Sequence, residues 1–388
     1  MPVAGTVAQT DLPSVIPGPP QVVIGGLLVV LLGIAGWFVF ARLLRSPGER
    51  FAAVIGDYNE IAIVMHPNPD PDAMACALAT QLIADRRDTD ATIYYSGQIR
   101  HHENRAFETV LDVDFECIES ADEIEENDIV LVDHNEARGF EGGETTEPVA
   151  VVDHHPGEGT GERFTDIRPV NGACATIFSE YFDNLGYETV DPDRYEHNGF
   201  GGDTIPPRIA TGLIYGIQSD TKHLTNGCSS DEFTAASFLY NGIDEDKLDR
   251  IANPDMDAES LEVKAEAITD REVRGPFAIS DVGSISNIDA IPQAADELRR
   301  LEGINAVVVL GDVDNRIKLS GRSKDDRVHM GKVLETAVSE VPMADGGGHA
   351  RMGGGQIPID HMHGLGPGEG LTRDELVERL FDAMNGEL

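Results

Sequence analysis

Apolar and polar positions alternate along the chain on three length scales. The longest apolar run, Gln21 to Ala41, holds twenty-one residues without a charge. That is enough to cross a hydrocarbon core of about 30 Å, and it predicts a transmembrane helix over 21–41. No Lys or Arg stands among residues 1–20, whereas Arg42, Arg45 and Arg50 follow the run at once. A cleaved signal peptide would show the opposite arrangement. The basic flank predicts a single-pass anchor in the cell membrane, with everything after it on the cytoplasmic side. Residues 1–20, rich in proline, read as a disordered tail.

Beyond residue 50 the runs shorten. IAIVM (61–65), IVLVD (129–133) and VAVVD (149–153) read as buried strands, continuous in Val and Ile. AMACALATQLIAD (73–85), ATIFSEYFDNLG (175–186) and PRIATGLIYGIQSD (207–220) keep helical spacing. Strands alternating with helices predict an α/β fold with a mainly parallel sheet, here over 50–242. DEIEEND (122–128) and HNGFGGD (197–203) read as surface loops, and the acid-rich stretch 243–275 as a helical linker. INAVVVL (304–310) and RIKLSGR (316–322) open a second, smaller α/β domain over 276–388, closing with a helix near 372–384.

Length supports two domains, since 388 residues let each bury its own core. Acidic residues outnumber Lys plus Arg by 69 to 29, a formal charge of −40 spread along the chain. Such a surface argues against a long nucleic acid as partner, because phosphate neutralisation needs clustered cations. Six lysines against twenty-three arginines, with so much Asp and Glu, also suit a halophilic habitat. In molar salt the charges are screened within about 3 Å. Cys76, Cys117, Cys174 and Cys228 form no CxxC pair and read as small core residues in a reducing compartment.

The acidic residues gain meaning from where they fall. In an open α/β sheet, ligands gather beyond the carboxyl ends of the strands. His66-Pro-Asn-Pro-Asp70-Pro-Asp72 follows one strand directly, and three prolines stiffen it. Asp133-His134-Asn135 and Asp153-His154-His155 each end a Val-rich strand, and Ser219-Asp220-Thr221 ends a helix. Each motif alone has an ordinary explanation as a cap or turn. Four in one domain, all at element ends, point to convergence. Clustered carboxylates cannot all stay ionised without cations, which implies divalent metal. Imidazole among them favours manganese over magnesium alone. Two ions about 3.5–4 Å apart clamp a phosphate and activate water, so the expected reaction is in-line hydrolysis of a phosphate ester.

These residues resemble the DHH phosphoesterases, named for the triplet that stands here as Asp153-His154-His155. The likeness runs over roughly 55–360 and takes in HxxxDxD, the strand-end Asp133, VDHHP, SDT and a distal GGGH. The resemblance implies a catalytic amino-terminal domain and a smaller substrate-binding domain of the DHHA1 kind. It implies two Mn²⁺ ions, one on His66, Asp70 and Asp133, the other on Asp72, Asp133 and His154. Asp133 would bridge them, Asp220 would complete the cluster, and Asp153 would orient His154 from behind. His155 would meet the substrate phosphate or protonate the leaving oxygen. Arg322, Ser323 and His349 would recognise a terminal nucleotide phosphate. The run Gly346-Gly347-Gly348, read as a loop, would offer free N–H groups to it. Asp345 stands where the family carries a further glycine.

The family divides by substrate. The lack of a basic channel disfavours a processive RecJ-like single-strand exonuclease, and GGGH disfavours a pyrophosphatase. Left as expected substrates are short oligonucleotides, pApA-like dinucleotides and cyclic dinucleotides, with phosphatase action on 3′-phosphoadenosine 5′-phosphate. A non-catalytic nucleotide-binding membrane sensor is the alternative from another class. The oligomeric state is left open.

Overall fold

The computed structural model describes residues 45–99, 101–198, 202–362 and 370–387. The expected tail 1–20 and span 21–41 lie outside them. Among the described residues no helix is long and apolar enough to cross a membrane. The chain divides into two compact units, Met1–Gln98 with Leu111–Leu248, and Ile99–Val110 with Asp249–Leu388.

In the first unit six parallel strands form one sheet in the order β3-β2-β1-β4-β5-β6. They are β1 (Glu60–Met65), β2 (Asp90–Tyr95), β3 (Glu116–Cys117), β4 (Ile129–Val132), β5 (Ala150–Asp153) and β6 (Phe164–Ile167). Helix α1 (Pro47–Ile55) starts in a capping box between Ser46 and Glu49. It lays Phe51 edge-on against Phe164 and Phe178. Helix α2 (Pro71–Asp85) shows no polar face. Pro71 to Ala84 are buried apart from Gln81, as expected of an alanine-rich helix enclosed by neighbours. The segment also contributes α3 (His102–Leu111), whose first nine residues, 102–110, belong to the second unit. That departs from an uninterrupted domain over 50–242. Helices α4 (Cys174–Asn184), α5 (Pro192–Asn198), α6 (Pro207–Asp220) and α7 (Ser230–Leu239) follow, with a small parallel pair of β7 (Glu188–Thr189) and β8 (Thr204–Ile205).

The order of strands reverses between β1 and β4, and that is the topological switch point of the sheet. Register does the rest. Met65 lies beside Val132, and Val132 beside Val152. The next residue of each strand in this row, His66, Asp133 and Asp153, therefore stands at the same carboxyl edge. Cys76 and Cys174 are buried as expected, but Cys117 is exposed.

The second unit holds a mixed sheet in the order β13-β14-β12-β11-β10-β9. Its strands are β9 (Glu272–Arg274), β10 (Phe277–Ser284), β11 (Ala306–Val313), β12 (Arg316–Ser323), β13 (Asp345–Gly348) and β14 (Met352–Pro358). Its helices are α8 (Glu245–Ala252, shared in part), α9 (Ala258–Thr269), α10 (Ala290–Leu298), α11 (Met330–Val338), α12 (Ile359–Met362) and α13 (Arg373–Asn385). Strand β11 shows why both faces are covered: Ala306, Val308 and Leu310 face one core, Val307 and Val309 the other.

Two sequence expectations need correction here. The stretch 243–275 carries the helices α8 and α9 but is more than a helical linker, because Val263 and Ala267 of α9 enter the second core and β9 edges the sheet. The glycine run is not a loop either. Gly346, Gly347 and Gly348 form β13 and pair with Gly355, Gly354 and Gly353. Helix α11 explains the composition: a Cβ on Gly331 would lie 2.2 Å from the Gly348 oxygen, and one on Gly346 2.8 Å from the Leu334 oxygen. Glycine lets helix and hairpin touch backbone to backbone. The first N–H groups of α11 then bond to the hairpin turn, Met330 to the Ala350 oxygen and Gly331 to the His349 oxygen, at 2.9 and 3.0 Å.

Candidate metal centre

At the switch point the chain leaves β1 through His66 and enters α2 through Asp70. Asp70 is the N-cap of that helix: its Oδ1 accepts from the N–H groups of Asp72 and Ala73, at 3.1 Å each. Its Oδ2 lies 3.7 Å from His66 Nε2. Asp72, the second residue of the helix, is fully buried. Its two oxygens accept from the first N–H groups of α4, those of Cys174 (2.6 Å) and Ala175 (2.8 Å). Helix α6 reaches this carboxylate because residue 216 is glycine, where a Cβ would stand 3.0 Å from Asp72 Cα and Oδ1. The end of α6 supplies Asp220.

Asp133 sits between these groups with φ at +61°, a left-handed conformation that Asp adopts more readily than most residues. Its two oxygens face opposite ways. Oδ2 lies 3.5 Å from His66 Nε2, and Oδ1 3.4 Å from His154 Nε2. His154 Nε2 also stands 3.4 Å from Asp220 Oδ2 and 3.9 Å from Asp72 Oδ2. Possible ligand atoms thus converge within 4.8 Å in three sets: His66, Asp70 and Asp133; Asp72, His154 and Asp220; and Asp133, His154 and His155.

The imidazoles are oriented by their other nitrogens. His66 Nδ1 donates to the Pro67 oxygen at 3.0 Å and His154 Nδ1 to the Asn171 oxygen at 3.2 Å. Both therefore turn Nε2 toward the carboxylates, as metal-bound histidines do. This corrects the expected role of Asp153, which does not touch His154. Its Oδ1 accepts from both the backbone N–H and Nδ1 of His155, at 2.9 Å each, and its Oδ2 from Asn135 Nδ2 at 2.6 Å. His134 stays outside the cluster. Its Nδ1 is spent on the Val132 oxygen at 2.9 Å, and burial lowers its pKa to about 4.

Both oxygens of Asp133 and Nε2 of His154 are buried without a hydrogen bond among the described residues. Two carboxylates 4 Å apart repel by about 4 kcal/mol at an effective dielectric constant near 20, so four together demand compensation. In the protein without metal, protons supply it. Burial opposes charge on His66, yet the Asp133 and Asp70 carboxylates raise it to about 11. Burial likewise opposes charge on His154, and Asp220, Asp72 and Asp133 lift it to about 10. Burial, with Asp70 beside it, raises Asp133 to about 6 despite His66. The residues fit two divalent ions, whose four charges would balance the carboxylates of Asp70, Asp72, Asp133 and Asp220 with both imidazoles neutral.

His155 differs from the ligands in being half exposed. Its bond to Asp153 raises its pKa and leaves Nε2 as the nitrogen free to exchange a proton with a substrate. Burial works against the charge of Asp153, but the His155 ring and backbone N–H hold it below the usual carboxylate range.

In the second unit Arg322 is mostly buried and engaged with Asp296 Oδ1 (3.0 Å), Ser320 Oγ (3.0 Å) and the Gly321 oxygen (3.1 Å). Ser323 is fully buried and gives its hydroxyl to the Asp325 oxygen. The expected phosphate contact by Ser323 is therefore corrected to a structural bond. His349 is exposed beside the hairpin turn, and its N–H donates to the Met352 oxygen at 2.8 Å. Asp345 is exposed opposite Gln356. Sequence reasoning gave no role to Asn135 or Asn171. Neither sits in a periodic pattern, and one of them acts through its backbone oxygen.

Comparison with known proteins finds relatives of both units. The model of the DHH family, N-terminal domain, matches residues 60–217. That of the DHHA1 domain matches residues 274–365. An uncharacterized protein of Methanocaldococcus jannaschii is 34% identical over 324 residues, spanning 83% of this chain and 63% of its own length. The chain thus covers less than two thirds of that relative. A second uncharacterized protein of the same organism is 22% identical over 335 residues, covering 78% of this chain and 88% of its own. The crystal structure of an exopolyphosphatase-related protein from Bacteroides fragilis shares the fold, with a TM-score of 0.61 at 17% identity. That match covers 87% of this chain and 95% of the other. Residues 60–217 and 274–365 are thus similar, in that order, to a DHH-family N-terminal domain and a DHHA1 domain.

Proposed function

We propose that this chain is a phosphoesterase dependent on two divalent ions, Mn²⁺ in the first instance. We take it to hydrolyse short oligonucleotides, pApA-like dinucleotides or a cyclic dinucleotide, and to remove phosphate from 3′-phosphoadenosine 5′-phosphate. The observation that carries this reading is Asp133, a buried carboxylate with both oxygens unspent and each turned toward a different ligand set. When bound, the ions supply positive charge at the phosphate and lower the pKa of water. His66, Asp70 and Asp133 would hold one, and Asp72, Asp133, His154 and Asp220 the other. His155, whose pKa the bond to Asp153 raises, would give its proton from Nε2 to the leaving oxygen. Arg322 and His349, with the backbone of Gly347 and Gly348, are assigned to a nucleotide phosphate. The acidity of the chain supports a short substrate over a long nucleic acid.

The anchor over 21–41 and a cytoplasmic catalytic part belong to the same reading, supported by the uncharged run and its arginine flank. So does a halophilic habitat. The test is a substrate panel on the full chain in detergent and molar salt with Mn²⁺. It sets pApA, a cyclic dinucleotide and 3′-phosphoadenosine 5′-phosphate against polyphosphate, pyrophosphate and long single-stranded DNA. Turnover confined to the first three, abolished by chelator, is expected. Preference for polyphosphate or pyrophosphate would move the assignment to anhydride hydrolysis, preference for long DNA to an exonuclease. No turnover of any member would sink it in favour of a sensor.

A further inference from the structure

Among the described residues four glutamates close capping boxes at helix starts, and one is unlike the rest. Glu49, Glu123 and Glu375 are exposed, as a capping box allows. Glu232, at the start of α7, is completely buried. Its Oε2 performs the cap, accepting the Ser229 N–H. Its Oε1 does something a cap does not require. It accepts the Gly172 N–H at 2.8 Å and approaches Asn171 Nδ2 at 3.4 Å, about sixty residues back in the chain. The Asn171 backbone oxygen is the acceptor for His154 Nδ1. Between them the peptide has little freedom, since a Cβ on Gly172 would stand 2.6 Å from the Gly227 oxygen and 2.8 Å from Thr221 Cγ2.

We propose that Glu232 is a positioning residue for His154. By gripping the 171–172 peptide it holds the Asn171 oxygen against Nδ1, which fixes the imidazole with Nε2 toward Asp72, Asp133 and Asp220. The effect on metal rests on the reading of the cluster as a two-ion site; the effect on the ring does not. Burying a carboxylate is costly unless N–H groups answer it, so a buried glutamate in place of an exposed one implies a task beyond the cap.

The test uses the full chain and three variants, Glu232→Ala, Glu232→Gln and Ser229→Ala. The last weakens the α7 cap but leaves the grip on Gly172. The first readout needs no metal: solvent exchange of the His154 Nδ1 proton, followed by NMR with histidine labelled in ¹⁵N. It should accelerate at least tenfold in Glu232→Ala, less in Glu232→Gln, and stay unchanged in Ser229→Ala. The second readout is Mn²⁺ titration by calorimetry. Glu232→Ala should weaken one of two ions about 10–100-fold and leave the other within about threefold, the range found when a residue behind a ligand is removed. Equal exchange in wild type and Glu232→Ala would overturn the proposal. So would a Ser229→Ala phenotype matching Glu232→Ala, which would reduce Glu232 to a cap. Faster exchange in Glu232→Ala with no Mn²⁺ bound by wild type would sustain the positioning role and count against the two-ion reading instead.

Discussion

Asp133 concentrates the residue-scale argument, because one carboxylate serves two ligand sets from a left-handed backbone. Asparagine tolerates that backbone nearly as well, whereas alanine would add about 1–2 kcal/mol of strain. Asp133→Asn therefore isolates the ligand. It should remove both ions together, read by calorimetric Mn²⁺ titration, and cut turnover at least 1,000-fold, an order-of-magnitude figure for losing a metal-held charge. Loss of one ion alone would refute the bridge. The bond from Asp153 raises the His155 pKa, so Asp153→Asn should let His155 lose its proton at lower pH. Because the proposed acid must be protonated, the alkaline limb of the kcat profile should then move to lower pH, with the acid limb unmoved.

Elements place these residues, and at this scale the sequence was legible unevenly. Val and Ile runs that exit into His66, Asp133 and Asp153 announced β1, β4 and β5 together with the edge on which ligands gather, because burial on both faces and a ligand-type side chain at the exit leave few other readings. The glycine run carried no such signal. Glycine has no side chain to show period two, so a strand packed under a helix looks like a loop. Glu232 and Asn171 were equally silent, since their bonds run through backbone atoms far apart in sequence. The glycines themselves can be tested. Gly331→Ala must push helix from hairpin and should cost about 1–3 kcal/mol in denaturant unfolding. Gly347, whose Cβ would meet nothing within 4 Å, should accept alanine within about 0.5 kcal/mol.

Over the whole molecule, a charge of −40 meets a centre that needs cations. Without metal, His66 and His154 hold protons to well above neutrality. Each ion must displace one, so binding should release protons and tighten as pH rises from 6 to 9, by about tenfold per unit for each proton released. Calorimetry in buffers of different ionisation enthalpy measures that release directly, and a pH-independent affinity would exclude the exchange. Those two imidazolium rings have a consequence for how the centre would load. They are placeholders, offsetting two of the four carboxylate charges where the ions would stand. Loading is then a trade of protons for ions, and acid should empty the site.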